Sequence, residues 1–507
     1  DLTGAFGVAN AGHSHPGVVD AIARQAETLL HGMGDVHPPT VKVELLEALV
    51  ARFPGDGGAR AILGSSGSDA VESAIKTAQL ATGRAGLLAF EGGYHGLALG
   101  ALDATARQDF RDPFAARLPG ATRFARFGEI EDVEEHLTRA EADGELPGAI
   151  LVEPVQGRGG ERIPPRGFLS ALRALCDERR LLLIADEIYT GFGRTGRWFA
   201  CEHEGVVPDL ICLGKGLASG MPISACLGRP EVMEAWPLSS GEALHTQTFL
   251  GHPGGCAAAL ASMEIIEREG LVENAASLGR RALERLEAAL AGRDGIVAVR
   301  GLGLMLGIEF PDGERCSAVV ETLLQSGVIV LPSGPGGCVL SMTPPLSIDP
   351  AALDLTRVSA RGTFIDGFAG VRTTIAAGER GTRQLAGFGR WIFQGFRLDD
   401  GGVILVNRGF VPEGRLGEIK PASGAATVTG FLRAPEGRGS FTPADLPANR
   451  EFYTRDPAAI AASLGLGAAA PFYLEAERQG EEDGGLEDIG SDAKGEGNLG
   501  ERLEVGG

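Results

Sequence analysis

The sequence predicts an α/β protein with a mostly parallel sheet, extended by a small α+β domain and then by a separate body of short strands. Three observations carry that prediction. From Ala59 to about Gly251, short apolar runs alternate with stretches of helical periodicity, the rhythm of parallel strands joined by crossover helices. Two of those runs end on reactive side chains: Leu181–Ala185 leads into Asp186 and Glu187, and the run from Asp209 to Leu213 delivers Lys215 between two glycines. Ligands of open α/β sheets sit at such carboxyl ends of strands. Around Leu355 the character changes: histidine and cysteine vanish, and short β-like runs replace the alternation.

Taken in order, residues 1–58 read as a glycine-rich opening followed by two amphipathic helices. Residues 59–252 form the large domain, with strands predicted at Leu87–Phe90, Ala149–Val152, Leu181–Ala185, Leu210–Leu213 and Ile223–Leu227. A long helix, Gly254 to Arg268, leaves it, and 253–354 reads as the small α+β domain. The GxGL at Gly301–Leu304 follows charged Arg300 and runs into a strand. It is therefore read as a tight turn and not as a phosphate loop, which would open a helix. Residues 355–478 form the β domain, where two strand-like runs flank the Asp-Asp-Gly-Gly turn at 399–402, a hairpin signal. From 479 to 507 the chain is acidic and glycine-rich, with too few apolar residues to offset the entropy of ordering, so a disordered acidic tail is expected.

At 507 residues the chain is too long for one ordinary core. Its 46 basic against 67 acidic residues argue against nucleic acid as a partner. Part of the acidic surplus is local, since 475–507 carries eleven acids against three bases. The seven cysteines lie between Cys176 and Cys338 with no CxxC pair and no His/Cys cluster. They read as free buried thiols of a reducing compartment, the cytoplasm, and no metal site is expected. No apolar run approaches the roughly 20 residues of a membrane span. The chain begins at Asp1 without methionine, so the segment 1–58 is expected to be truncated.

An aspartate at one strand end and a lysine at another suit pyridoxal phosphate. That cofactor needs a lysine for its Schiff base and an acid beside its pyridinium nitrogen. A surface lysine and a solvated acidic turn have the same local sequence. Upstream, Ser66, Gly67 and Ser68 precede apolar residues at helical spacing, Ala70, Val71, Ala74, Ile75 and Ala78. They would sit at a helix N-terminus, where free amides and the helix dipole favour a phosphate. An ordinary N-cap shares that pattern. Tyr94-His95-Gly96 offers an aromatic ring, and Thr248-Phe249 follows His245 in a glycine-rich context.

The segments SGSDAVESAIK, YHG, LVEPVQG, DEIYTGFGRTG, PDLICLGKGLASGMPISA, HTQTFLGHPGGCAAALA and VRGLGLMLGIEF, in this order, resemble the class III aminotransferases, a fold-type I pyridoxal-phosphate family. The resemblance covers Asp1 to about Asp354, about 70% of the chain. It implies a large PLP-binding domain and a small C-terminal domain. It implies that Lys215 forms the Schiff base, that Asp186 pairs with the ring nitrogen, and that Tyr94 and Ile188 sandwich the ring. Gly67 and Ser68, with Ser66, would hold the phosphate, and His95, Glu153 and Tyr189 complete the cofactor-binding set. Thr248 would reach the phosphate of a partner subunit, which makes the active unit a homodimer. The expected substrates are a small amino donor and a 2-oxo acid.

Two departures bear on the substrate. Many members of the family carry a carboxylate-clamping arginine before the double proline, where this chain has Ser341 in LSMTPPL. Several carry a glutamate after EPxQG, where this chain has Arg158. Arg158 is thus a candidate replacement clamp, and a solvated loop arginine is the other reading. Tyr189 stands where glutamine is common, and its hydroxyl is a candidate contact for the cofactor's phenolate oxygen.

The later part resembles a second family, the Surfeit-one proteins that assist cytochrome oxidase assembly. The carrying motifs are VSARGTF, GGVILVNRGFVP, TGFLRAPEG and FTPADLPANREFYTRDPAAIAASLGL, over about Thr356 to Ala476. That family implies a mainly antiparallel β domain between two transmembrane helices, neither of which the sequence contains. The alternative to an aminotransferase is therefore an oxidase-assembly binding protein, with a membrane partner only if this part keeps its family role. Two families end to end read as a fused or misassembled reading frame, folding as separate bodies.

Overall fold

The computed structural model describes residues 1–349 apart from 240, 242 and 326, and beyond them 357–375, 387–399, 401–412, 419, 422–433, 450–453, 455–466 and 473–476. The chain divides into two compact units, Asp1–Ile348 and Asp349–Gly507. The expected acidic tail, 479–507, lies outside the described residues, as do 350–356, where the composition changes.

The first unit is built on seven strands: β1 (Arg60–Gly64), β2 (Leu87–Phe90), β3 (Thr122–Ala125), β4 (Ala149–Val152), β5 (Leu182–Asp186), β6 (Leu210–Leu213) and β7 (Ser224–Gly228). Their order across the sheet is β1-β7-β6-β5-β4-β2-β3. Strands β2 to β6 run parallel. β7 pairs antiparallel with both β6 and β1, so it alone runs against the rest. The cause is the connection: residues 214–223 are too few for a crossover, which takes about a dozen residues or more. The expected run at 223–227 is thus a strand shifted by one residue, outside the βαβ rhythm. β4 and β6 are buried along their whole length, as strands covered on both faces must be, which explains their unbroken apolar sequences.

The helix Gly67–Thr82 packs on this sheet through Ala70, Val71, Ala74 and Ala78, all buried in one cluster with Ile184 and Leu210. Its start is set by a reciprocal cap. The Ser66 hydroxyl accepts from the Asp69 amide, and the Asp69 carboxylate accepts from the Ser66 amide. Gly83, at φ 67°, ends it in the left-handed conformation.

A smaller layer completes this unit. The helices Leu271–Leu290 and Gly313–Gln325 accompany an antiparallel sheet of β8 (Ala298–Leu302), β9 (Met305–Glu309), β10 (Leu331–Ser333) and β11 (Val339–Met342), in the order β10-β11-β9-β8. The GxGL segment is the turn between β8 and β9, with Gly303 at φ 58°.

The second unit holds a six-stranded sheet of β12 (Arg357–Ile375), β13 (Gly387–Leu398), β14 (Val403–Pro412), β15 (Gly424–Arg433), β16 (Glu451–Phe452) and β17 (Tyr473–Ala476). β13 and β14 form the hairpin expected across 399–402. Most pairings are antiparallel; β17 runs parallel to β14 and β16 parallel to β12. Its core gathers Phe393, Leu405, Phe452, Ile460 and Tyr473.

All seven cysteines are free, and six are buried. Cys338 departs from the expectation of burial: it is half-buried in the turn before β11. Among the described residues no group of His, Cys, Asp and Glu is placed to hold a metal ion, and no helix is long and apolar enough to cross a membrane.

Candidate active site

β1, β2, β4, β5 and β6 all point their carboxyl ends the same way, and the residues after them surround one cavity of about 200 Å³. β1 contributes Ser66, Gly67 and Ser68, and β2 contributes Tyr94 and His95. β4 leads to Glu153 and Arg158, β5 to Asp186, Ile188 and Tyr189, and β6 to Lys215. Of the predicted site residues only Thr248 is not among those lining the cavity; it is exposed.

Lys215 follows β6 with φ 38°, a conformation an L-residue adopts at a cost of about 1–3 kcal/mol. Its Nζ lies 4.5 Å from the centroid of the Tyr189 ring, within cation–π range. Burial pushes the Lys215 amine below its ordinary pKa; the carboxylates of Asp186 and Glu153 oppose that fall, and the Arg158 guanidinium adds to it. Asp186, the last residue of β5, is 3% exposed. Its Oδ2 lies 2.7 Å from His95 Nδ1, and its Oδ1 accepts from the Ile188 amide at 3.1 Å. Burial disfavours a charged His95, but the hydrogen bond and charge of Asp186, with the charge of Glu153, outweigh it and raise the imidazole pKa.

Glu153 is buried and accepts from the amides of Tyr94 at 3.0 Å and Gly157 at 3.2 Å, so it ties the loops after β2 and β4 together. Burial pushes its carboxyl up to about 7, His95 and the two amides pull against that, and the Asp186 charge adds to it. Arg158 is exposed, with its Cζ 5.1 Å from the Tyr94 ring centroid and 6.0 Å from that of Phe110. Tyr94 and Phe110 meet edge to face with centroids 6.1 Å apart. The guanidinium therefore stands at an aromatic wall of the cavity.

Sequence reasoning missed several residues around the site. Glu161, 1% exposed, accepts from Ser333 Oγ at 2.9 Å and from Ser341 Oγ at 2.5 Å. Ser341 is thus buried on β11 and bound to a carboxyl group. A charged residue directly after Gly159-Gly160 was a visible signal for Glu161. Phe110 and Thr343 carried none, because only the folded chain brings them to Tyr94 and Tyr189.

Residues 1–357 match the family model described as Aminotransferase class-III. The chain belongs to the class III aminotransferases. It is 42% identical over 315 residues to the acetylornithine aminotransferase of Methanopyrus kandleri, covering 62% of this chain and 77% of that one. It is 36% identical over 354 residues to the acetylornithine aminotransferase of Methanosarcina acetivorans, covering 70% and 84%. Among solved structures it resembles the ornithine aminotransferase of Toxoplasma gondii, crystallised with partial occupancy of PLP. The TM-score is 0.63 at 31% identity, over 69% of this chain and 82% of that one. Residues 337–498 match a second model, that of the SURF1 family. Class III aminotransferases are PLP-dependent and carry out transamination, and the cavity suits that cofactor. An amine of lowered basicity, a buried carboxylate on a neighbouring strand and a helix N-terminus face one space that Tyr94 and Ile188 also line.

Proposed function

We propose that this class III aminotransferase moves an amino group from a small amino donor to a 2-oxo acid, with Lys215 as the amine that holds the cofactor. The observation that carries this reading is the meeting of Lys215, Asp186 and the Ser66–Ser68 helix start at one cavity. Pyridoxal phosphate supplies an electron sink for the charge that develops at the substrate Cα. Gly67 and Ser68 are the first helical residues, whose amides have no partner within the helix, and they would hold a phosphate there. Tyr94 and Ile188 line the same cavity and would cover the two faces of a planar guest. Asp186, bonded to His95, would hold a proton on the ring nitrogen. Lys215, made less basic by burial, would take the proton from the substrate Cα and return it. Arg158 would receive the substrate carboxylate, since Ser341 carries no charge and is bound to Glu161.

Thr248 would act across a homodimer interface, in the cytoplasm, where seven free cysteines persist. Gel filtration with light scattering tests the dimer; a monomer that turns over would exclude it. The SURF1 match supports reading the chain as a fusion, and the intact mass of the cellular protein tests that: two separate masses would overturn it. Acetylornithine, named by both curated relatives, is the first donor to try. The decisive experiment is borohydride reduction of the cofactor-loaded protein followed by peptide mapping. Label is expected on Lys215, and Lys215→Ala is expected to abolish turnover with the fold intact. Label on another lysine would sink the assignment.

A further inference from the structure

Three successive side chains tie the segment before Thr248 to three different parts of the first unit. His245 reaches the helix Gly67–Thr82, where its Nε2 lies 2.9 Å from Ser73 Oγ and its Nδ1 lies 3.1 Å from Lys76 Nζ. Thr246 donates its hydroxyl proton to Asp35. Gln247 Oε1 accepts from Ser65 Oγ at 3.1 Å, just after β1. The chain upstream is fastened to the same helix, because Trp236 Nε1 donates to Thr77 Oγ1 at 2.9 Å. Ser73, Lys76 and Thr77 are three and four residues apart and so share one helix face. The indole and the imidazole meet there, with ring centroids 6.1 Å apart. Thr248 follows these anchors and is exposed.

The helix assigns one protonation state to the imidazole. An ammonium has protons to give and no lone pair, so toward Lys76 the Nδ1 atom accepts and carries no proton. The ring proton is therefore on Nε2, which donates to Ser73 Oγ. Ser73 ends the chain by giving its own proton to Asp69 O at 2.9 Å. A second ring proton would sit on Nδ1. It would remove the acceptor that Lys76 uses and leave the Ser73 bond alone. Among the described residues, the charged groups that face this half-buried ring are Lys76, Asp69 and Glu72, all on the same helix. Burial and the Lys76 charge hold the imidazole pKa below its ordinary value, and the two carboxylates oppose them. The neutral ring is thus the resting form, lost only as the pH falls below the ordinary imidazole value of about 6.5.

We propose that His245 is a positioning residue: as a neutral imidazole between Lys76 and Ser73 it latches the segment that presents Thr248 onto the helix Gly67–Thr82. Acid weakens this latch, because the protonated ring keeps one of its two hydrogen bonds. The inference rests on the role that the proposed function gives to Thr248. The latch itself is read without cofactor or substrate, so a failed latch and a failed transamination are separate results.

Leu244 and Phe249 flank the latch and are exposed, so a protease can report on it. The full, cofactor-free chain is digested with papain at about pH 8 and about pH 5, on either side of the imidazole range. Cleavage within 243–250 is read by mass spectrometry, relative to the same cleavage in a free peptide of that sequence. The parent is expected to be cut about tenfold faster at the lower pH, the scale of losing one hydrogen bond to a charged group. His245→Gln can accept from Lys76 and donate to Ser73 but cannot titrate there, and it is expected to stay resistant at both pH values. Lys76→Met keeps only the Ser73 bond, and at the higher pH it is expected to be cut as fast as the parent is at the lower. His245→Leu is expected to be cut fast at both. A His245→Gln chain that loses resistance in acid as the parent does overturns the proposal, because another group would then be titrating. A Lys76→Met chain as resistant as the parent at the higher pH also overturns it, because the lysine bond would then hold nothing.

Discussion

Asp186 serves His95 with one oxygen and the Ile188 amide with the other. Its position at the end of β5 therefore sets both the imidazole and the first turn of the following loop. Asp186→Asn keeps the shape and removes the charge. Turnover is expected to fall about a hundred- to a thousandfold, the usual scale for losing one preorganised electrostatic partner. The His95 pKa should drop, since Asp186 supplies its main support against burial. Near-normal turnover, with the His95 titration unmoved by NMR, would make Asp186 structural. Arg158 is a different case, exposed and stacked on rings. If it receives the substrate carboxylate, Arg158→Ala removes a charge-assisted pair of about 1.5–3 kcal/mol. The Michaelis constant for an acidic acceptor such as 2-oxoglutarate should then rise roughly ten- to a hundredfold. Constants unchanged for every acidic acceptor would return Arg158 to the solvent.

Among the elements, the β8–β9 hairpin is locked to the loop after β5 by one backbone and one side-chain hydrogen bond. The Leu304 amide donates to Arg194 O at 3.0 Å, and Arg194 Nη1 donates to Leu304 O at 3.0 Å. The helix Leu271–Leu290 closes over that turn where it has no side chain. A Cβ on Gly279 would stand 2.0 Å from Gly303 O, a backbone atom that cannot swing aside. Gly279→Ala is expected to destabilise this unit by about 1–3 kcal/mol, as overpacked sites do. Denaturant unfolding reads the change, and a stability equal to that of the parent would show that the helix can shift at no cost.

For the whole molecule, every predicted site residue, Thr248 included, belongs to the unit Asp1–Ile348. A ligand that binds only the folded state stabilises the unit that holds it. Calorimetry is expected to show two transitions, with pyridoxal phosphate raising one and leaving the other unmoved. The same transition should respond to pH. Glu153 and Glu161 are each pushed by burial from an ordinary 4.5 up to about 7. Between those values the folded unit binds more protons than the unfolded chain. The stability these groups confer is therefore complete below about 4.5 and is lost as the pH rises through about 7. One cooperative transition that both ligand and pH move as a whole would refute the two-unit reading.

The motifs at strand ends were legible because each is local: an apolar run and a reactive side chain lie within ten residues, as in Leu210–Lys215 or Leu182–Asp186. Parallel β order then brings their carboxyl ends to one side, which is why a linear reading found the residues lining the cavity. The hairpin across 399–402 was legible for the same reason, since a turn announces itself in four residues. The reversal of β7 was written in a short connection and was passed over because apolar pattern does not encode direction. Glu161, Ser333, Ser341 and Thr343 come together only after β10 and β11 fold back beside the loop that follows β4. Their separation along the chain exceeds 150 residues in each of these bonds, and no local periodicity spans that distance. The sequence by itself determined the family, the strand ends and the lysine that lines the cavity. Tertiary structure alone decided which buried carboxyls keep their protons, because that depends on how much water the packed chain excludes.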